Sequence, residues 1–146
     1  MVAESRIAIY EYVASILEEV SENVYLMDEP QELTPSDTED GFIVISLGDM
    51  IDHGEFEGES FATVRAYIRC YVPPITRGRL NVELYDQFEK GINAAVKDAS
   101  ENDNKGKYWI QQDSFISTDM GEDSNANNAY YMFVKSFVVV IDESNE

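Results

Sequence analysis

"FATVRAYIRCYVPPITRGR", residues 61–79, carries the cleanest period-two pattern in the chain. Read by parity, Ala62, Val64, Ala66, Ile68, Cys70 and Val72 fall on one face, and Phe61, Thr63, Arg65, Tyr67, Arg69 and Tyr71 on the other. The spacing predicts a β-strand with one apolar face. Pro73 and Pro74 end it, since proline donates no ladder hydrogen bond. The stretch also holds Arg65, Arg69, Arg77 and Arg79, four of ten basic residues in a chain of formal charge -19.

Working outward, residues 4–22 place Ile9, Val13, Ile16, Leu17 and Val20 at helical spacing, with Glu11, Glu18 and Glu19 among the other positions. A second amphipathic helix is expected over residues 80–99, through Leu84, Phe88, Ile92, Ala95, Val96 and Ala99. The two alanines and the cysteine of the strand's apolar face leave room for a helix to lie close across it. Residues 42–47, "FIVISL", read as a buried strand, and 108–117 and 130–141 as two more, joined by the polar loop "TDMGEDSNANNA". The acidic, proline-bearing run 26–41 reads as an extended connection and the glycine-rich run 48–60 as a mobile acidic hairpin arm. Residues 100–107 are expected as a loop. The order α-β-β-α-β-β predicts a single α+β domain over 1–146, an antiparallel sheet of about four strands with both helices on one face.

That arrangement leaves the face of Arg65, Tyr67, Arg69 and Tyr71 without a helix to cover it. Tyrosine supplies rigid apolar area and arginine pairs with carboxylates in bidentate fashion, so this face is expected to dock a partner. In so acidic a chain the partner's carboxylates are expected from another copy of itself. The alternative is that these arginines pair with acids on neighbouring strands of the same subunit.

The acidic excess, 29 Asp plus Glu against 10 Lys plus Arg, opposes stable binding to nucleic acid, whose phosphates need a basic surface. Glu4 and Arg6 stand where a secretory leader needs its apolar run, and no segment approaches the ~20 apolar residues of a membrane span, so a soluble, unexported protein is expected. Cys70 is the single cysteine, which excludes an intrachain disulfide and a Cys-rich zinc site, and His53 is the single histidine. No phosphate-binding glycine motif is present. Residues 123–134 match a calcium loop at Asp123, Asn125 and Asn127 but carry Asn128 in place of glycine and Val134 in place of the bidentate glutamate. No metal, cofactor or catalytic residue is expected, and an enzyme is not the class to which these residues point.

The succession "FIVISLGDMIDHGEFEGES", "FATVRAYIRCYVPP" and "LNVELYDQFEKGINAAV", closed by "YYMFVKSFVVVIDE", resembles the lambda-type tail terminator, or tail completion, proteins of long-tailed bacteriophages and related neck proteins. The resemblance implies a structural protein that forms a ring, hexameric by family likeness, on the tail tube. Such a ring would end tail polymerisation and present a surface for head-tail joining. The implied partners are further copies of the chain, the tail tube protein and the head-tail connector protein. DNA would pass through without specific binding and no membrane would be involved. The protein would reside in the host cytoplasm during assembly and then in the virion tail. On this reading Arg65, Tyr67, Arg69, Tyr71, Arg77 and Arg79 supply subunit or partner contacts, and Asp49, Asp52, His53, Glu55 and Glu57 belong to an arm that orders on docking. A different class is an acidic inhibitor that imitates the charge of DNA, or another protein-binding module; residues 28–59 contain eleven acids and no Lys or Arg.

Overall fold

The computed structural model describes residues 5–27, 40–56, 59–73, 81–103, 106–125 and 128–142. In chain order the elements are α1 (Ser5–Leu17), β1 (Val24–Leu26), β2 (Phe42–Phe56), β3 (Glu59–Val72), α2 (Val82–Asn102), β4 (Tyr108–Asn125) and β5 (Asn128–Asp142). The alternating stretch is β3, the middle strand of a sheet ordered β1-β2-β3-β5-β4. Its even residues all enter the main core, as the parity predicts, and pack there with Ile9, Val13 and Leu17 of α1 and Phe88, Ile92 and Val96 of α2. Ile43 and Ile45 of β2, Ile110 of β4, and Phe133, Phe137, Val139 and Ile141 of β5 complete this side. Burial of that apolar area, at about 25 cal/mol per Å², is the main force holding helices to sheet.

The sheet has five strands and is mixed, where four antiparallel strands were expected. The extra strand is β1, parallel to β2, with Val24, Tyr25 and Leu26 opposite Ile43, Val44 and Ile45. Three residues are too few to show a period, so nothing in "VYL" marks it as a strand. Its pairing is completed by Ile43 N–H donating to Asn23 O at 2.8 Å and Met27 N–H to Ile45 O at 2.7 Å. A parallel pair needs a long crossover. Residues 27–41 supply it, which accounts for the length of the acidic connection; 28–39 lie outside the described residues. Gly41, where the chain re-enters the sheet, has φ 77°, and a Cβ there would meet the Tyr71 carbonyl oxygen and come within 2.9 Å of the Phe88 ring.

Two boundaries differ from expectation. The first helix ends at Leu17, leaving Ile16 and Val20 only partly buried. The second continues past Ala99 to Asn102 instead of opening into a loop at residue 100. Asn81 Oδ1 accepts from Leu84 N–H at 3.1 Å at its start, and at its end the Asp103 N–H donates to Ala99 O at 2.8 Å. Asn102 adds side-chain bonds to the Asp98 carbonyl and carboxylate, both 2.9 Å.

The expected polar loop 118–129 is also corrected. β4 runs on to Asn125 and β5 begins at Asn128, the two paired through Ser124↔Ala129 and Asn125↔Asn128. β3 stops pairing with β5 at Val72↔Tyr131, so this hairpin end runs beyond the rest of the sheet. Among the described residues no third strand pairs with it, and backbone pairing alone requires no alternation of apolar residues, so the polar sequence hid it. At the opposite end of the sheet, the expected arm 48–60 is a hairpin paired through Asp52↔Ala62, Glu55↔Ser60 and Phe56↔Glu59, with register shifts after Leu47 and Asp52.

Candidate functional site

With both helices on the even side of β3, the outer face of the sheet is assembled from the odd residues of β3 and their direct opposites. Register places Phe42, Val44 and Ser46 of β2 beside Tyr71, Arg69 and Tyr67. On the other flank, Met132, Val134, Ser136, Val138 and Val140 of β5 stand opposite Tyr71, Arg69, Tyr67, Arg65 and Thr63. In an antiparallel sheet, directly opposed side chains share a face.

One end of this face is covered from within the chain, against expectation. Tyr71 is 0% exposed and stacks on Phe42 with ring centroids 4.5 Å apart and planes at 9°. Tyr25 meets Phe42 edge-on at 5.9 Å, and Met132 packs against the same group, so that Phe42, Val44 and Tyr71 form a second small core. Tyr71 is thus buried within its own subunit: its antiparallel neighbour Phe42 lies on it, and Tyr25 of β1 backs Phe42.

Arg69 is held by the same cluster. Its Nη1 donates to Tyr71 Oη at 3.2 Å and its Nη2 to the Met27 carbonyl at 3.3 Å, where Met27 has φ 77°. Its Nε is buried without a hydrogen-bond partner. No ion pair joins Arg69 to a carboxylate among the described residues. Arg65 donates from Nη1 to Ser136 Oγ at 3.1 Å, which positions it across β5.

Ile51, opposite Thr63 and 58% exposed, reaches solvent most fully among the described residues of this face, and Tyr67 and Phe61 follow at 37% each. Beside them lie the partly buried Val134, Val138 and Val140. These valines were not singled out from sequence because β5 is apolar at odd and even positions alike, which tells of a strand buried on both faces but not which face is which. Arg77 and Arg79 lie outside the described residues, as does Glu57. Asp49 is exposed at the first register shift of β2. Asp52, His53 and Glu55 lie in the outer part of β2, which pairs with β3 and, beyond Phe61↔Asp142, with nothing else in the sheet. The structure thus separates the two expected sets: arginine-tyrosine residues at mid-sheet, acidic residues along the hairpin.

Nucleophilic chemistry finds no support in Cys70. Its thiol is 0% exposed on the inner face, and burial pushes its pKa up, a shift only partly opposed by Lys135, so the thiolate is suppressed. Lys135 is itself 1% exposed, with Nζ 3.6 Å from Glu89 Oε2 of α2. Among the described residues, no three His, Cys, Asp or Glu side chains converge as a metal site would require. Neither a protein-family model nor a curated protein matches the chain.

Proposed function

We propose that this is a structural assembly subunit that associates with copies of itself through the outer sheet face. The observation that carries the reading is that α1 and α2 lie on one side of a broad sheet whose other side presents Ile51, Phe61, Tyr67, Val134, Val138 and Val140 around the half-buried Arg65 and Arg69. Aromatic and arginine side chains amid aliphatic area are the composition of interface centres. The two hairpin tips leave the sheet at opposite ends of its strands. Each is thereby placed to reach a neighbour in head-to-tail association, the geometry that closes into rings.

The particular role we propose is the one the family resemblance implies, a ring that caps a phage tail tube, ends its polymerisation and offers a surface to the head connector. A charge of -19 supports it, because an acidic ring would repel DNA phosphates and let the genome pass without sticking. The test is the mass of the purified protein by light scattering across concentration, with Tyr67→Asp beside it. A discrete species of about six subunits, reduced to monomer by Tyr67→Asp with unchanged circular dichroism, is the expected result. A monomer at every concentration, with and without purified tail tubes, would sink the reading.

A further inference from the structure

The helix layer, on the side of the molecule opposite the proposed ring contact, contains a groove with a different chemistry. α1 and α2 run antiparallel and meet at two points. At one, Val20 lies over Gly91, where an added Cβ would come within 3.2 Å of Val20 Cγ1. At the other, Tyr12 Oη donates to Asp103 Oδ2 at 2.9 Å and accepts from Ile110 N–H at 3.1 Å. Between these points the helices stand apart and leave about 490 Å³ of open space. From Gly91 to Asp103 the groove follows about 18 Å of α2, at 1.5 Å per residue.

Its floor is apolar and its rims are acidic. Ile16 of α1 and Ala95 and Ala99 of α2 line it, and the alanines carry only a methyl group into the space. Glu18 and Glu19 stand on one rim and Asp98 on the other, all exposed, and no Lys or Arg lines the groove. Asp98 is held in place by the Asn102 side-chain amide. A volume in the ~300–1,000 Å³ range is that of a cleft for a drug-sized ligand, which leaves room for bulky aliphatic side chains, and a helix-long groove fits the apolar edge of a short segment.

We propose that this groove receives a short segment of a partner protein that carries one or two bulky aliphatic side chains flanked by lysine or arginine. The aliphatic groups would fill the space over Ala95 and Ala99, and the cations would reach Glu18 and Glu19 on one side and Asp98 on the other. Charge alone would attract such a segment anywhere on this acidic protein; the apolar floor is what localises it.

The experiment uses three synthetic helix-forming peptides of equal length and fluorescence anisotropy as readout. One has Leu along a single edge and Lys elsewhere, the second replaces Leu by Ser, and the third replaces Lys by Glu. The Leu/Lys peptide is expected to bind at least tenfold more tightly than either. Asp98→Lys combined with Glu19→Lys should weaken it at least tenfold, while Asp49→Lys combined with Glu83→Lys, the same charge change away from the groove, should alter it less than twofold. Equal loss in both double variants, or equal binding of the Ser/Lys peptide, overturns the proposal in favour of diffuse charge. A change of oligomer mass in the Asp98/Glu19 variant overturns it in favour of a second copy in the groove. Tyr67→Asp should leave peptide binding intact, so failure of the ring reading and failure of this one are separable.

Discussion

Tyr12 joins three elements through one hydroxyl: α1 carries it, Asp103 at the end of α2 accepts a hydrogen bond from it, and the Ile110 N–H of β4 donates one to it. Its ring also lies 5.7 Å from that of Tyr108. Burial raises its pKa, the Ile110 N–H opposes that shift, and the Asp103 carboxylate adds to it. A phenol whose pKa is raised on folding contributes stability that is fully present below the unfolded value of about 10 and is lost as pH rises above it. Tyr12→Phe is therefore expected to cost about 1–2 kcal/mol at neutral pH, by removing both hydrogen bonds. The variant should also lose less stability than the parent between pH 9 and pH 11. Thermal melts across that range check this, and parallel curves for the two proteins would show that Tyr12 does not carry the alkaline sensitivity. The sequence marked Tyr12 only as a position between apolar residues of a helix. Its partners lie 91 and 98 residues away, and no local pattern points to them.

At the scale of elements, the two hairpins divide into parts that are locked in the sheet and parts that hold only each other. Phe133, Phe137 and Val139 of β5 are buried in the main core; Phe133 and Val139 pair with strands on both sides, and Phe137 pairs with Ala66 beside the register shift of β4. Residues 121–125 and 128–130 pair only across their own hairpin. Amide exchange should therefore be at least about 100-fold faster in 121–125 and 128–130 than in Phe133–Val139, since opening there breaks pairing with one strand instead of leaving a strand paired to β3 and packed in the main core. Uniform protection along β5 would mean that the hairpin end is covered, and mass spectrometry of exchanged peptides distinguishes the two. The locked parts were legible in sequence: 42–47, 61–72, 108–117 and 130–141 all fall within strands. The outer ends were not, because strand pairing through backbone hydrogen bonds by itself imposes no apolar period, and "GEDSNANN" reads as a turn-rich loop.

For the molecule as a whole, charge and shape act together. Two ion pairs, Lys90 with Asp86 at 2.9 Å and Lys135 with Glu89 at 3.6 Å, are seen among the described residues, against a net charge of -19. The folded state thus concentrates repulsion that the unfolded chain relieves. Raising salt from about 20 mM to about 300 mM shortens the screening length from about 20 Å to about 6 Å and should raise the melting temperature by several degrees. A melting temperature that falls with salt would instead reveal stabilising ion pairs stronger than the net repulsion. The same measurement at two protein concentrations separates screening from self-association, because only the latter makes the melting temperature depend on concentration.

What the sequence determined by itself is the inner architecture. Alternation in 61–72 and helical spacing of Ile9, Val13, Leu17, Phe88, Ile92 and Val96 are local signals, and each of these residues is buried where its own period puts it. The excess of acids, and the absence of cysteine and histidine pairs, are likewise properties of composition. Only the tertiary structure decided the outer face and the helix groove. Tyr71 is buried because its antiparallel neighbour Phe42 stacks on it and the parallel strand β1 sets Tyr25 against Phe42, and Ile16 and Val20 border a groove because α1 and α2 are pinned at Tyr12–Asp103 and Val20–Gly91. Period reports which way a side chain points relative to its own backbone. What meets it there is set by segments distant in sequence, whose placement is the fold itself.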